Sequence, residues 1–351
     1  MEKFRSFLRR KDIVISARRY GIDALGAMAQ GLFCSLLIGT IISTCGTQFH
    51  LPFLNTIGDF ASKMSGPAMA IAIGYALHCP PLVLFSLATV GSAANGLGGA
   101  GGPLAVLIIA IVAAECGKAI SKETKVDLLV TPLLTIFVGV ALSALLAPAI
   151  GRAASSLGRL IMWATEQQPF VMGVVVSVVI GIALTLPISS AAICAALTLT
   201  GLAGGAAVAG CCAQMVGFAV MSFRENRWGG LISQGIGTSM LQMGNIVRNP
   251  RIWIPPIVAS AVTGPLATCL FKLQMNGPAV SSGMGTCGLV GQIGVYTGWV
   301  SDVASGAKAA ITAMDWIGLI LICFILPAII SWALALLLRK IGWIKEGDLK
   351  L

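Results

Sequence analysis

Charge is scarce in this sequence. Only 10% of its 351 residues are Asp, Glu, Lys or Arg, whereas a soluble globular domain carries about a quarter. That shortage excludes a chain made mainly of water-facing surface. Histidine is scarcer still, with two residues, and tyrosine has three. Ten cysteines are present, yet no Cys-x-x-Cys pair occurs, and His50 and His78 stand far apart. Metal and redox motifs therefore lack their ligand spacing. Also missing are G-x-S-x-G, H-E-x-x-H, a P-loop, and any G-x-G-x-x-G behind a strand. The chain thus advertises no catalytic constellation, no metal and no cofactor.

What it has in abundance is apolar length. Apolar residues make up 57% of the sequence, and the mean hydropathy is +0.92. A spanning helix needs roughly 20 apolar residues, so the expected fold class is an all-α polytopic membrane protein with about eight to ten transmembrane helices. The net charge of +10 gathers at the two ends, from Lys3 to Arg19 and from Arg339 to Lys350. That pattern points to cytoplasmic termini and anionic membrane lipids rather than nucleic acid. Residues 1–20 read as a basic amphipathic interfacial segment with Phe4, Phe7 and Leu8 between the charges. Ile22 to Ile42 exceeds the h-region of a cleavable signal and reads as a first span.

Further along, residues 50–63 read as a polar connection, and His78-Cys79-Pro80-Pro81 as a proline kink. Gly91 to Pro103 reads as a flexible loop. Arg152 to Gln168 is an amphipathic connector, and Ile188 to Phe223 a long run of small residues suited to a central helix. The resulting organisation has a scaffold half at 21–150, a connector at 151–170, a substrate-binding half at 171–340 and a cytoplasmic tail at 341–351. Cys34, Cys194, Cys211, Cys212, Cys269 and Cys323 sit in apolar runs and read as packing residues. Glu115, with Lys118 one turn later, reads as a structural pair.

One phrase occurs twice: Gly235-Ile236-Gly237-Thr238-Ser239-Met240-Leu241 and Gly283-Met284-Gly285-Thr286-Cys287-Gly288-Leu289. Both copies are too polar and glycine-rich for ordinary spans. Irregular backbone at membrane depth survives only inside protein or along a wet cavity. Two re-entrant hairpins are therefore expected near 229–249 and 276–299. In the first, Gln234, Thr238, Gln242 and Asn245 repeat at helical spacing; the second offers Asn276, Ser282, Thr286 and Gln292. Neutral amides and hydroxyls both donate and accept, which suits a polyhydroxylated solute. The same groups also suit capping of broken helices, and both readings stand. Glu225, between Arg224 and Arg227, is either a loop ion pair or a carboxylate for solute hydroxyls.

Several blocks carry a family resemblance: Ile15 to Ala29, Thr185 to Ile193, Ser233 to Gln242, Asn249 to Pro256, and Gly283 to Gln292. They resemble the membrane IIC-type proteins of the bacterial sugar phosphotransferase system, in the branch that includes the perfringolysin regulatory protein. The resemblance implies a homodimeric inner-membrane transporter subunit with two hairpins and elevator-type alternating access for a sugar. Any phosphorylation would come from separate IIA/IIB proteins. The glutamate-containing hairpin motif of glucose-type and chitobiose-type relatives has no good match here. Two other readings remain open: a membrane-embedded ligand sensor or regulator, and an ion- or proton-coupled carrier using Glu115 or Glu225.

Overall fold

Glycine, more than any other residue, sets how this chain packs. The computed structural model describes residues 2–351, apart from the side chains of residues 2–5 and 157; the expected apolar contribution of Phe4 lies outside that description. Among the described residues, helix is the only extended regular structure, and one isolated antiparallel bridge joins Gly201 to Met275. Among these residues six helical stretches are long and apolar enough to cross a membrane, and Pro169–Thr185 is a shorter apolar helix. The all-α polytopic fold expected from composition is what forms. By contact the chain divides into two units, Met1–Ala154 and Ser155–Leu351.

The first unit begins with α1 (Glu2–Arg10) and the long α2 (Arg19–Gln48). Residues 50–63, expected as a polar connection, instead form α3 (Pro52–Lys63), which packs along α2. The reason is a glycine pair: a Cβ on Gly58 would overlap the Gly39 carbonyl and Ser43. Small residues let helices approach this closely in lipid. Then come α4 (Ser65–Ala76), α5 (Pro81–Gly98) and α6 (Gly102–Ile120), each packed on its predecessor. The expected proline kink is a full break, because His78 takes a left-handed φ of 56° and Pro81 starts a new helix.

The supposed flexible loop at 91–103 is also mostly helix. Only Gly99–Gly101 turns, so Pro81–Ile120 is a helical hairpin with two arms. Its glycines are contact points; Gly91 faces the Gly66 carbonyl with no room for a Cβ. Next, α7 (Asp127–Thr165) runs for 39 residues with Pro132 and Pro148 inside it. Much of the expected connector is thus continuous with the preceding span, and the division between units falls within α7.

A polar cluster closes one end of the first unit. Lys118, only 2% exposed, donates to the carbonyls of Asp12 and Leu77 and pairs with Glu115 at 2.9 Å. Tyr20 donates to the other Glu115 oxygen. Arg19 chelates the Asp12 carboxylate, with Nη2 2.5 Å from Oδ2, and this hydrogen bonding holds the Asp12 pKa below the usual carboxylate range.

The second unit contains α8 (Pro169–Thr185), α9 (Ser190–Ala196) and α10 (Gly201–Met221), so the long small-residue run is broken at 197–200. It continues with α11 (Phe223–Ile232), α12 (Met243–Arg248), α13 (Pro250–Leu270), α14 (Ala279–Ser282), α15 (Val290–Ala304) and α16 (Ala313–Ile341). Helices α8, α13 and α16 surround α10, whose apolar window is 94% buried. Its glycines allow this, since a Cβ on Gly210 would strike the Ser177 carbonyl. Of the cysteines expected to pack, Cys194, Cys211, Cys212 and Cys323 are buried, whereas Cys34 and Cys269 are exposed.

Candidate functional site

Both Gly-x-Gly-Thr segments interrupt helices and rest on α10. In the first, α11 passes into a π turn over Ser233–Gly237 and the chain then extends at Thr238 (φ −156°, ψ 141°). The Thr238 hydroxyl accepts from the Met240 N–H and restarts the chain as a 3₁₀ turn leading into α12. In the second, α14 ends in a turn where Gly285, Gly288 and Leu289 all have positive φ, and α15 follows. Gly285 lies so close to the Cys211–Cys212 backbone that a Cβ has no space. The turns at 233–237 and 287–289 pack together.

Three of the four candidate residues in the first segment converge. Gln234 Nε2 donates to Ser222 Oγ at 2.8 Å and to the Gly230 carbonyl at 2.9 Å. Gln242 Nε2 donates to Gln234 Oε1 and to the Leu349 carbonyl, both at 2.9 Å. Asn245 Nδ2 donates to Gln242 Oε1 at 2.8 Å and to the Lys350 carbonyl at 2.9 Å. All three amides are buried. Their relay of donor to acceptor strengthens each bond in a low-dielectric setting. Thr238 stands apart as a cap.

Glu225 is an ion pair, but with neither flanking arginine. Its Oε1 lies 2.6 Å from Arg339 Nη2 on α16, and its side chain is only 5% exposed. Among the described residues its Oε2 has no hydrogen-bond partner. Beside the pair opens a cavity of about 440 Å³, lined by Arg224, Glu225, Arg339, Gly342, Ile344, Lys345 and Glu346. That size falls in the range of small-molecule sites, roughly 300–1,000 Å³.

The candidates of the second segment occupy other places along α10. Gln292 Nε2 donates to Cys212 Sγ at 3.1 Å, and its buried Oε1 has no partner among the described residues. Thr286 donates to Met215 Sδ at 3.5 Å. Ser282 donates to the Leu199 carbonyl at 2.6 Å, near the start of α10. Asn276 is exposed and bonds Asp302 at 2.7 Å. The nine residues therefore do not meet at one point. The amide row and Glu225 gather at the Met221 end of α10, about 13 Å by helical rise from Cys212.

Sequence reasoning passed over Gln214, the one large polar side chain in α10. Its Oε1 accepts from Trp253 Nε1 at 2.8 Å and from Thr185 Oγ1 at 3.2 Å, and its Nε2 donates to Ser260 Oγ at 3.4 Å. Thr185 in turn bonds Ser239 of the first broken segment at 2.8 Å. Gln214 thus ties α8, α13 and the first turn to the central helix. A lone amide in an apolar run was the available signal. Trp228, three residues after Glu225, forms no aromatic platform beside it: the tryptophan is 68% exposed and stands edge-on to Phe223. Trp299 is buried against Trp316.

Apolar helices, with glycine-rich turns resting against a buried small-residue helix, define a multi-pass membrane protein whose second unit shelters irregular backbone. The family described as "Phosphotransferase system, EIIC" matches residues 22–351, and the chain belongs to that family, the membrane subunits of phosphotransferase sugar transporters. Comparison with curated proteins and with solved structures gives no match.

Proposed function

We propose that the second unit binds a neutral, polyhydroxylated solute, a sugar or polyol, and carries it inward across the bacterial inner membrane by elevator-type alternating access. The carrying observation is the buried, uncharged amide row Gln234–Gln242–Asn245 on a helix broken at Thr238. Glu225 Oε2, a buried acceptor without a partner among the described residues and at the same end of α10, adds to it. Buried polar atoms normally find partners, and solute hydroxyls supply donors of the right kind. Amides avoid the desolvation cost that fixed charges would carry in lipid.

In this reading the segments near 229–249 and 276–299 are the moving hairpins, and Met1–Ala154 is the scaffold of a homodimer. Both termini are cytoplasmic, in keeping with their basic residues. Phosphorylation, where it accompanies transport, is performed by separate IIA/IIB proteins. The test is a thermal-shift screen of the purified protein against sugars, polyols and organic acids, followed by uptake into proteoliposomes with and without a phosphoryl donor. Because the Leu349 carbonyl occupies the Gln242 donor in the fold, the screen includes Leu349→Glu; stabilisation of that variant by neutral sugars, lost when Gln242→Leu is added, is the expected result. Stabilisation by organic acids alone would overturn it.

A further inference from the structure

The amide row already holds a ligand, and the ligand is peptide. Residues 343–351 fold back onto α11 and α12, where four side-chain amides grip their backbone. Asn226 does so at two points: its Nδ2 donates to the Leu349 carbonyl at 2.7 Å, and its Oδ1 accepts from the Leu351 N–H at 2.9 Å. One side chain thereby pairs with alternate residues as a neighbouring strand would. Gln242 and Asn245 take the carbonyls of Leu349 and Lys350, and Asn249 takes that of Trp343 and the Asp348 carboxylate. Leu349, fully buried, and Ile344, 2% exposed, anchor the segment. Arg251 lies over the Trp343 ring, 5.1 Å from its centroid.

We propose that these four amides form a peptide-binding clamp whose ligand is the chain's own tail, and that tail docking keeps solute out of the amide row. Gln242 and Asn245 each direct a side-chain N–H to a tail carbonyl, so the same donors are unavailable to a sugar while the tail is bound. The tail also walls the Glu225 cavity through Ile344 and Lys345. Release of the tail therefore opens the row and the cavity together. The peptide clamp stands on these contacts alone; the exclusion of solute rests on the reading of the row as a sugar site.

The clamp is tested with a fluorescein-labelled peptide of residues 343–351, titrated by anisotropy against the full-length protein in detergent. In wild type the tethered tail acts at an effective concentration on the order of millimolar and keeps the peptide out. Leu349→Glu, which cannot bury its charge, frees the clamp, and the peptide then binds at least roughly tenfold more tightly than to wild type. Adding Asn226→Ala abolishes that binding. The milder Asp348→Ala, which removes one acceptor at the tail's partly exposed edge, gives an intermediate affinity and serves if Leu349→Glu does not fold.

Equal binding to wild type and both released variants, or none to any, overturns the clamp. Glucose, mannitol and N-acetylglucosamine then serve as competitors. Displacement of the peptide by a sugar that stabilises the released variant supports exclusion. Stabilisation without displacement overturns it. Stabilisation by none of the three, with the peptide still bound, counts against the sugar reading and its exclusion while leaving the clamp standing.

Discussion

Replacing Arg339 with leucine tests whether Glu225 is held as a buried carboxylate. The Glu225 side chain is 5% exposed, its Oε1 depends on Arg339 Nη2 at 2.6 Å, and its Oε2 has no partner. Arg339→Leu removes the counter-charge and leaves the carboxylate without compensation. Breaking one side of a buried pair costs about 3–5 kcal/mol. At about 2–4 °C per kcal/mol for 150–250 residues, that is a melting shift of roughly 6–20 °C. Glu225→Gln removes the charge that demands a partner and leaves Arg339 beside the cavity, so its cost is smaller, about 1–2 kcal/mol. The double variant leaves no buried charge and recovers to within about 2 kcal/mol of wild type. Tryptophan-fluorescence melting in a single detergent measures all four proteins. Should Arg339→Leu melt no lower than Glu225→Gln, the pair does not hold Glu225 in the way its geometry implies.

Gln214→Leu orphans the Trp253 indole N–H, whose acceptor is Gln214 Oε1; a loss of about 1–3 kcal/mol is expected, with a changed tryptophan emission as its spectroscopic mark. Leu289→Gly is expected to stay within about 1 kcal/mol of wild type. Leu289 sits at φ 59° and is 40% exposed, so relief of a left-handed penalty of roughly 1–2 kcal/mol offsets the partial burial lost; a nearly unchanged melting temperature checks it, against a clear loss for Leu289→Ala, which gives up the burial and keeps the strain. Acid should loosen the end of the first unit. The Asp12 pKa is lowered in the fold, so its contribution is present above the unfolded carboxylate value of about 4 and fades as pH falls through the folded value. Melting of wild type against Asp12→Asn should show a gap at pH 7 that closes in acid.

How far the sequence could be read depended on the range of the interaction. Scarce charge and apolar length identify a membrane bundle because they report on solvent, which acts on every residue alike. Glu115 and Lys118, one turn apart, were legible as a pair for the same local reason. Glycine was misread at 91–103 because the rules that make it a turn residue describe water-exposed chain. Between helices in lipid its missing side chain is a contact surface, as at Gly91 and Gly66. Helix α3 was missed because Asn55, Asp59 and Lys63 made it look like a loop. The spacing of Gln234, Gln242 and Asn245 drew attention to amides that do assemble, though through a break at Thr238 rather than along one unbroken helical face. Arg339 lies 114 residues from Glu225, and no local pattern links them. The tail's hold on Asn226 and Asn245 was equally invisible, since backbone carbonyls leave no mark in a sequence.

The buried α10 bears on how such a protein can diversify. Its surface is largely glycine, alanine and cysteine, and neighbouring backbones stand where side chains would grow. Enlargement should therefore be the damaging change at the glycines and alanines of α10, while the outward faces of α16 accept changes of size. New solute preferences would then have to arise in the two glycine turns and the groups around them, leaving the axle on which they rest unaltered.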